Sequence, residues 1–173
     1  DNHSELYNLD GARITDDNYS NLRSIGPCDL FLKASVDSIF KPLYGNGREI
    51  FSEPSFEDIK TISENYLLAK QNKEWFYFDL NSNKKLGPYD SGSKFQNGKA
   101  VIEKEGKQFV INTEGKTISD GYDDIIARPS HFLLKNNEKW AVSFLASSID
   151  RPTIYESVRG IDPKLFIGQL NGK

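Results

Sequence analysis

Five aromatic residues, Tyr19, Phe56, Tyr89, Tyr122 and Tyr155, stand 37, 33, 33 and 33 residues apart, and this period constrains the fold more than any other feature of the chain. A fixed spacing in this range marks a tandem array of one supersecondary unit. The register extends beyond the landmark. Three residues on come Leu22, Ile59, Gly92, Ile125 and Val158, and twelve residues on come Phe31, Leu68, Val101, Leu134 and Ile167. Ahead of the last four landmarks lie Phe40, Trp75, Phe109 and Trp140. The first copy has Glu5-Leu6-Tyr7 there instead, an atypical strand that suits a terminal repeat.

The clearest copy reads as a strand at Lys107 to Asn112, a tight turn at Glu114-Gly115, a strand at Lys116 to Ile118, and further strands around Ile125 and Phe132 to Lys135. Other turns fall at Asp10-Gly11, Asn46-Gly47, Asn97-Gly98 and Glu105-Gly106, where the residue pairs tolerate positive backbone dihedrals, and at Ala146-Ser147-Ser148. A strand is expected over Leu6 to Leu9. Ser55 to Lys70 has a helix-like capping signal, but its in-register copies favour strands.

Runs such as Phe76-Tyr77-Phe78, Phe109-Val110-Ile111 and Phe132-Leu133-Leu134 are apolar at consecutive positions, where a sheet with one wet face would alternate. Both faces must therefore be covered, and a unit of this size needs neighbours to do it, so the landmarks are expected in a stacked core. The expectation is an all-β chain, one domain of 173 residues in five units of about 33 to 37 residues, at roughly 1–36, 37–71, 72–105, 106–137 and 138–173. Each unit is a meander of three or four short antiparallel strands, stacked into an open β superhelix or solenoid. A five-bladed propeller-like ring is the alternative, disfavoured because four strands crowd such a short unit. The chain ends at Asn171-Gly172-Lys173, where a sixth aromatic strand is due, so it reads as a piece of a longer array.

On these residues the chain resembles the bacterial WG-repeat (KWG-repeat) family, whose units run from an aromatic strand through Gly-Lys-x-Ile to Tyr-Asp-x-Ile. Phe109 to Ile125 and Glu138-Lys139-Trp140 carry the resemblance best, with Trp75 and Tyr89-Asp90 as weaker matches. Phe76 follows Trp75 and Ala141 follows Trp140, so no copy has a Trp-Gly pair. The resemblance implies a β-rich repeat scaffold and carries over no catalytic residue.

Composition narrows the function. A formal charge of -3 with both signs interspersed argues against nucleic acid as the partner. No apolar run approaches the length of a transmembrane helix, and no signal-peptide pattern is visible. Cys28, the single cysteine, has no partner for an intrachain disulfide and reads as a packed or idle thiol. The two histidines, His3 and His131, are too few for a histidine-rich metal site, and His131 reads as a loop residue beside a strand. No Gly-x-Ser-x-Gly elbow, phosphate-binding glycine loop or Asp-x-Asp-x-Asp-Gly calcium loop is present. No catalytic residue, cofactor or metal is expected.

Carboxylates follow most landmarks: Glu57 and Asp58, Asp90, Asp123 and Asp124, and Glu156. An acid pair about 5 to 9 Å apart would suit glycoside hydrolysis. Acids repeated in every unit, however, sit apart along an array, and they read better as partners of turn amides. Function is more at home four to ten residues after each landmark, where sequence varies while the strands keep their pattern, as on the binding face of repeat arrays. Arg23, Lys60, Arg128 and Arg159 are the candidate binding residues there, as a modest basic row, together with His131; ordinary solvated loops are the competing reading. The chain is thus expected to be a non-enzymatic scaffold binding a protein or peptide through a loop face. A carbohydrate-binding or cell-envelope module is the rival, weakened by the core-like positions of Trp75 and Trp140. An acid-pair hydrolase comes third.

Overall fold

The computed structural model describes residues 4–7, 9–14, 19–26, 31–52, 55–82, 84–144, 154–160 and 166–170; for 36, 154, 158–160 and 166 it describes the backbone alone. Among these residues every regular element is a strand. The first sheet runs β1 (Asn21–Ser24), β2 (Phe31–Val36) and β3 (Ile39–Tyr44). The second runs β4 (Asp58–Ser63), β5 (Tyr66–Gln71), β6 (Glu74–Asp79) and β7 (Lys85–Tyr89). The third is built from β8 (Ser91–Gly92), β9 (Lys99–Lys104) and β10 (Lys107–Asn112). The fourth comprises β11 (Asp124–Ala127), β12 (His131–Asn136), β13 (Lys139–Phe144) and β14 (Ile154–Tyr155), and a last pair joins β15 (Ser157–Gly160) to β16 (Phe166–Gln169). Strands follow chain order within each sheet, and the pairings are antiparallel.

The landmarks close these sheets. Phe56 bridges to Phe40 on β3, Tyr122 bridges to Gln108 on β10, Tyr155 pairs with Trp140 on β13, and Tyr89 ends β7. Each of the first four sheets therefore runs from one landmark to the next, a three-stranded meander with a fourth strand or bridge at its edge, and β15–β16 is a two-stranded pair. The unit boundaries expected from sequence, after residues 36, 71, 105 and 137, instead fall in the hairpins β2–β3, β5–β6, β9–β10 and β12–β13. Periodicity specifies the length of a repeat and leaves its phase open; backbone hydrogen bonding sets the phase.

Four strands also fit into the repeat, contrary to the crowding expected. Residues 58–89 hold all of β4–β7 because β4–β5 and β5–β6 are joined by two-residue turns. Both turn residues have positive φ in Glu64-Asn65 (47° and 66°), Asn72-Lys73 (54° and 68°) and Asn137-Glu138 (48° and 62°), the geometry that matches the right-handed twist of the flanking strands. The expected glycine turns form as well, with Gly47 at φ 82° and Gly115 at 81°.

The chain packs as two compact units, 1–88 and 89–173. In the first unit, Phe56, Ile59, Ile62, Leu67, Ala69, Phe76 and Phe78 form one apolar cluster, and Tyr19, Leu32, Ala34 and Leu43 form another. In the second, Val101, Val110, Ile125, Phe132, Leu134 and Ala141 form the core. Residues 66–69 of β5 and 131–134 of β12 are buried at four consecutive positions, so both faces of these strands are covered as their composition requires. Tyr19 and Phe56 are core residues at 2% and 1% exposure, whereas Tyr89, Tyr122 and Tyr155 are half-buried. Burial pushes the Tyr89 and Tyr122 phenols above their ordinary pKa; at Tyr122 the Asp120 charge adds to it.

At the start of the chain the expected Leu6 to Leu9 strand is reduced to isolated bridges, Ser4 to Tyr19 and Tyr7 to Arg13. The Asp10-Gly11 turn is present, with Gly11 at φ 79° and Ile14 N–H donating to Leu6 O at 2.7 Å. Leu6 packs against the Tyr19, Leu32, Ala34 and Leu43 cluster, whereas Tyr7 and Leu9 are exposed, so a single apolar contact anchors this segment and no continuous strand forms. His3, Cys28, Ala146-Ser147-Ser148 and Asn171-Gly172-Lys173 lie outside the described residues.

Candidate functional site

Antiparallel order places the first and third connections of a sheet at one end and the second at the other. The landmark acids belong to the second-connection end. The Glu57 carboxylate accepts the Lys73 N–H at 3.0 and 3.2 Å, Asp90 Oδ2 accepts the Glu105 N–H at 2.8 Å, and Asp123 Oδ2 accepts the Asn137 N–H at 2.8 Å. Each acid, one residue after its landmark, thus satisfies a turn amide of its own sheet with a charge-assisted bond. This is the turn-bonding role expected for them, and it explains why the acid recurs at that position.

Asp123 has a second partner, Lys107 Nζ at 2.5 Å from Oδ1. The Lys107 hydrogen bond, and then the Asn137 amide, hold its carboxyl below the usual range. A carboxyl depressed in the folded state contributes stability that is fully present above its unfolded value of about 3.9 and is lost as pH falls through the lower folded value. Asp123→Asn is therefore expected to be less stable than the wild type at neutral pH, with the difference shrinking as pH falls from about 4 and vanishing below the depressed folded value, read from urea midpoints across that range. A constant difference at every pH would contradict the ion pair's role.

The first-connection end of the second unit holds a pocket of about 220 Å³, lined by Ser93, Lys94, Gln96, Lys99, Ala100, Val101, Ala127, Arg128 and Phe132. It lies where the β8–β9 connection of the third sheet meets the β11–β12 connection of the fourth. The β8–β9 connection is tightly built. Asn97 and Gly98 take positive φ (53° and 70°), Gln96 N–H donates to Lys99 O at 2.8 Å, and Phe95 is buried beneath. Ser93 Oγ accepts the Val101 N–H at 2.9 Å. On the other side Arg128 N–H donates to His131 O at 2.9 Å, closing the turn into β12. Asn97 Nδ2 donates to Pro129 O at 3.1 Å and ties the two connections together.

Val101 and Phe132, members of the core cluster, reach the pocket beside Ala100 and Ala127, so its floor is an edge of the core. Lys94, Lys99 and Arg128 bring three cations to its lining, and no carboxylate lines it. The volume is below the roughly 300 to 1,000 Å³ of pockets that enclose whole small ligands and suits one side chain or chain end.

Of the residues singled out by sequence, Arg128 lines this pocket. Arg23 and Lys60 are strand residues of the first unit, in β1 and β4, and not loop residues as expected. Arg23 Nε donates to Asn21 Oδ1 at 3.1 Å, and Lys60 Nζ stands 5.7 Å from the centre of the Trp75 ring. Arg159 is likewise in a strand, β15, and its side chain lies outside the described residues.

His131 differs most from the loop position expected of it. It opens β12 at 2% exposure, with Nδ1 3.1 Å from Ser130 Oγ and its ring 6.1 Å from that of Phe144, its partner across the sheet. Its Nε2 is buried without a hydrogen-bond partner. Trp75 and Trp140 are half-buried and sit outside the core clusters, with Lys60 and Lys135 over their rings at 5.7 and 5.8 Å. Among the described residues, no three or more His, Cys, Asp or Glu side chains are grouped to hold a metal ion, and no helix is long and apolar enough to cross a membrane.

The segments four to ten residues after Tyr89 and Tyr122, 93–99 and 126–132, contain Lys94, Gln96, Lys99, Ala127, Arg128 and Phe132; of these the sequence singles out Arg128 as a binding residue and does not reveal that Lys99 and Phe132 share its pocket. The Asn97-Gly98 turn folds Lys99 back beside Gln96.

No protein-family model matches the chain, and no curated protein matches it. Solved structures do. Hsv2 of Kluyveromyces lactis, a β-propeller protein, is 10% identical with a TM-score of 0.50 over 78% of this chain and 48% of that one. A form of the same protein with loop 6CD replaced by a Gly-Ser linker is 11% identical, with a TM-score of 0.48 over 80% and 54%. The CNH domain of AfRom2 is 10% identical, with a TM-score of 0.37 over 98% and 67%. The chain spans about half the length of the Hsv2 structures it matches. At such identity the first of these likenesses speaks for the fold alone: an all-β chain of successive antiparallel sheets.

Proposed function

We propose that the chain is a non-enzymatic interaction module whose sheets are successive blades of a propeller-like arrangement, and that it binds a protein or peptide at the first-connection ends of those blades. Three observations support the blade reading over an open superhelix. The sheets run landmark to landmark as short meanders, four strands fit within one repeat, and the Hsv2 likeness is to a β-propeller.

The residues shared with WG repeats have structural work in this frame, so that resemblance is compatible with it. Gly115 makes the turn that returns the chain to β10, where Thr117 bridges Ile111. Tyr122 closes the sheet, Asp123 caps its own sheet's hairpin, and Ile125 enters the core.

The observation that carries the binding role is the pocket at 93–101 and 127–132, a preformed concavity with polar groups over an apolar floor. A carbohydrate-binding reading would call on open aromatic platforms, and both tryptophans carry a lysine over their rings instead. Selection from a random peptide library displayed on phage tests the proposal. The wild-type chain is expected to enrich peptides that an Arg128→Glu variant binds at least about tenfold more weakly, while Arg23→Glu retains them. If the wild-type chain enriches nothing above a blank matrix, the interaction reading fails.

A further inference from the structure

The pocket's chemistry specifies more than a peptide. We infer that it takes a carboxylate carried next to an aliphatic group, as at an apolar chain end or an acidic side chain beside an apolar one. This rests on the interaction reading above and adds the class of ligand.

Charge comes first. Lys94, Lys99 and Arg128 line a space that no Asp or Glu lines, so an anion entering it meets only cations from the lining. Arg128 offers a planar fork that matches a carboxylate, and Lys94 offers a mobile ammonium that can follow it. Gln96 adds a neutral donor. The Ser93 hydroxyl is already engaged with the Val101 amide and with Lys94 O, so recognition falls to the long side chains around it.

The floor then selects among anions. Ala100, Val101, Ala127 and Phe132 bring apolar side chains to the lining, and none of these side chains can solvate a charge. A bare inorganic anion would leave this surface uncovered, whereas an isobutyl-sized group covers it and adds hydrophobic stabilisation. The volume of about 220 Å³ holds an end group and one side chain and excludes a nucleotide or an oligosaccharide.

Preorganisation completes the case. Phe95 is anchored in the interior, Ser93 is locked to Val101, and Asn97 bonds to Pro129 across the two connections. The walls therefore hold their spacing before any ligand arrives, which lowers the ordering cost of binding.

A titration followed by backbone amide shifts in NMR tests this on the full chain. The probes are N-acetyl-leucine, N-acetyl-leucinamide, N-acetyl-glutamyl-leucinamide, acetate and inorganic phosphate. N-acetyl-leucine is expected to shift amides within 93–101 and 127–132 and to bind at least about tenfold more tightly than its amide, with binding weakened by salt. If the side-chain carboxylate is the natural source, the glutamyl probe matches or exceeds it; if the chain end is, the glutamyl probe falls behind.

Lys94→Ala and Arg128→Ala are each expected to weaken binding about five- to tenfold while amides outside the pocket keep their positions, which shows that the variants remain folded. Equal binding of acid and amide, shifts confined to other residues, or phosphate and acetate binding as well as N-acetyl-leucine would overturn the assignment. Displayed peptides that bind elsewhere would overturn the pocket chemistry and leave the interaction reading standing. An empty peptide selection with a positive N-acetyl-leucine titration would do the reverse.

Discussion

Phe56→Ala is expected to lower the stability of the first unit by about 3 to 5 kcal/mol, the range for removing a large aromatic side chain from a packed core. Phe56 is 1% exposed, and its ring meets Phe78 edge-on at 5.0 Å and Phe51 at 6.3 Å. Its backbone bridge to Phe40, with N···O distances of 2.8 and 3.1 Å, does not depend on the side chain, so the loss measures packing alone. Against a total stability of about 5 to 15 kcal/mol for a typical domain, this is enough to unfold a marginal one. The measurement is the denaturant midpoint followed by the fluorescence of Trp75, which lies in the same unit. Ile39→Ala, at a 46% exposed site, serves as the control and is expected to change stability by less than about 1 kcal/mol. An unchanged midpoint for Phe56→Ala would mean that the landmark does not close its sheet from within the core.

In the second unit Leu134→Ala is expected to cost about 2 to 5 kcal/mol. Leu134 is fully buried and lies in register between Ile125 on β11 and Ala141 on β13, so its side chain sits in one row with theirs. Small neighbours such as Ala141 cannot expand into the space left behind, which places the effect in the upper part of that range. Trp140, next in the chain to Ala141, reports on it by fluorescence. Loss of less than about 1 kcal/mol would show that the site collapses around the deletion.

Much of the fold was legible because its determinants are local. A repeated aromatic with fixed apolar followers needs no tertiary knowledge to be seen, and Asn97-Gly98 or Glu114-Gly115 names its own backbone geometry. The turns at Glu64-Asn65, Asn72-Lys73 and Asn137-Glu138 do not stand out in the sequence, because both of their residues take positive φ without a glycine to announce it. The phase of the repeat was missed for a different reason. Whether Phe56 joins β4 in pairing with β5 or pairs back with Phe40 is decided by backbone hydrogen bonds, and the side-chain pattern is the same either way.

The candidate site shows the same division. The segments bearing Lys94, Lys99, Arg128 and Phe132 stand out by their position after a landmark. That Lys99 and Phe132 share a pocket with Arg128 does not, since a pocket between two sheets exists only once both are packed. His131 was read as a loop residue because its partner across the sheet, Phe144, is set by register and not by neighbourhood in sequence.

Amide hydrogen exchange on the chain with and without a library-selected peptide locates the binding face. Slowed exchange is expected at 93–99 and 126–132, with the hairpins at 72–73, 105–106 and 137–138 unchanged. Protection at those hairpins, with the first-connection segments unaffected, would contradict binding at the first-connection ends.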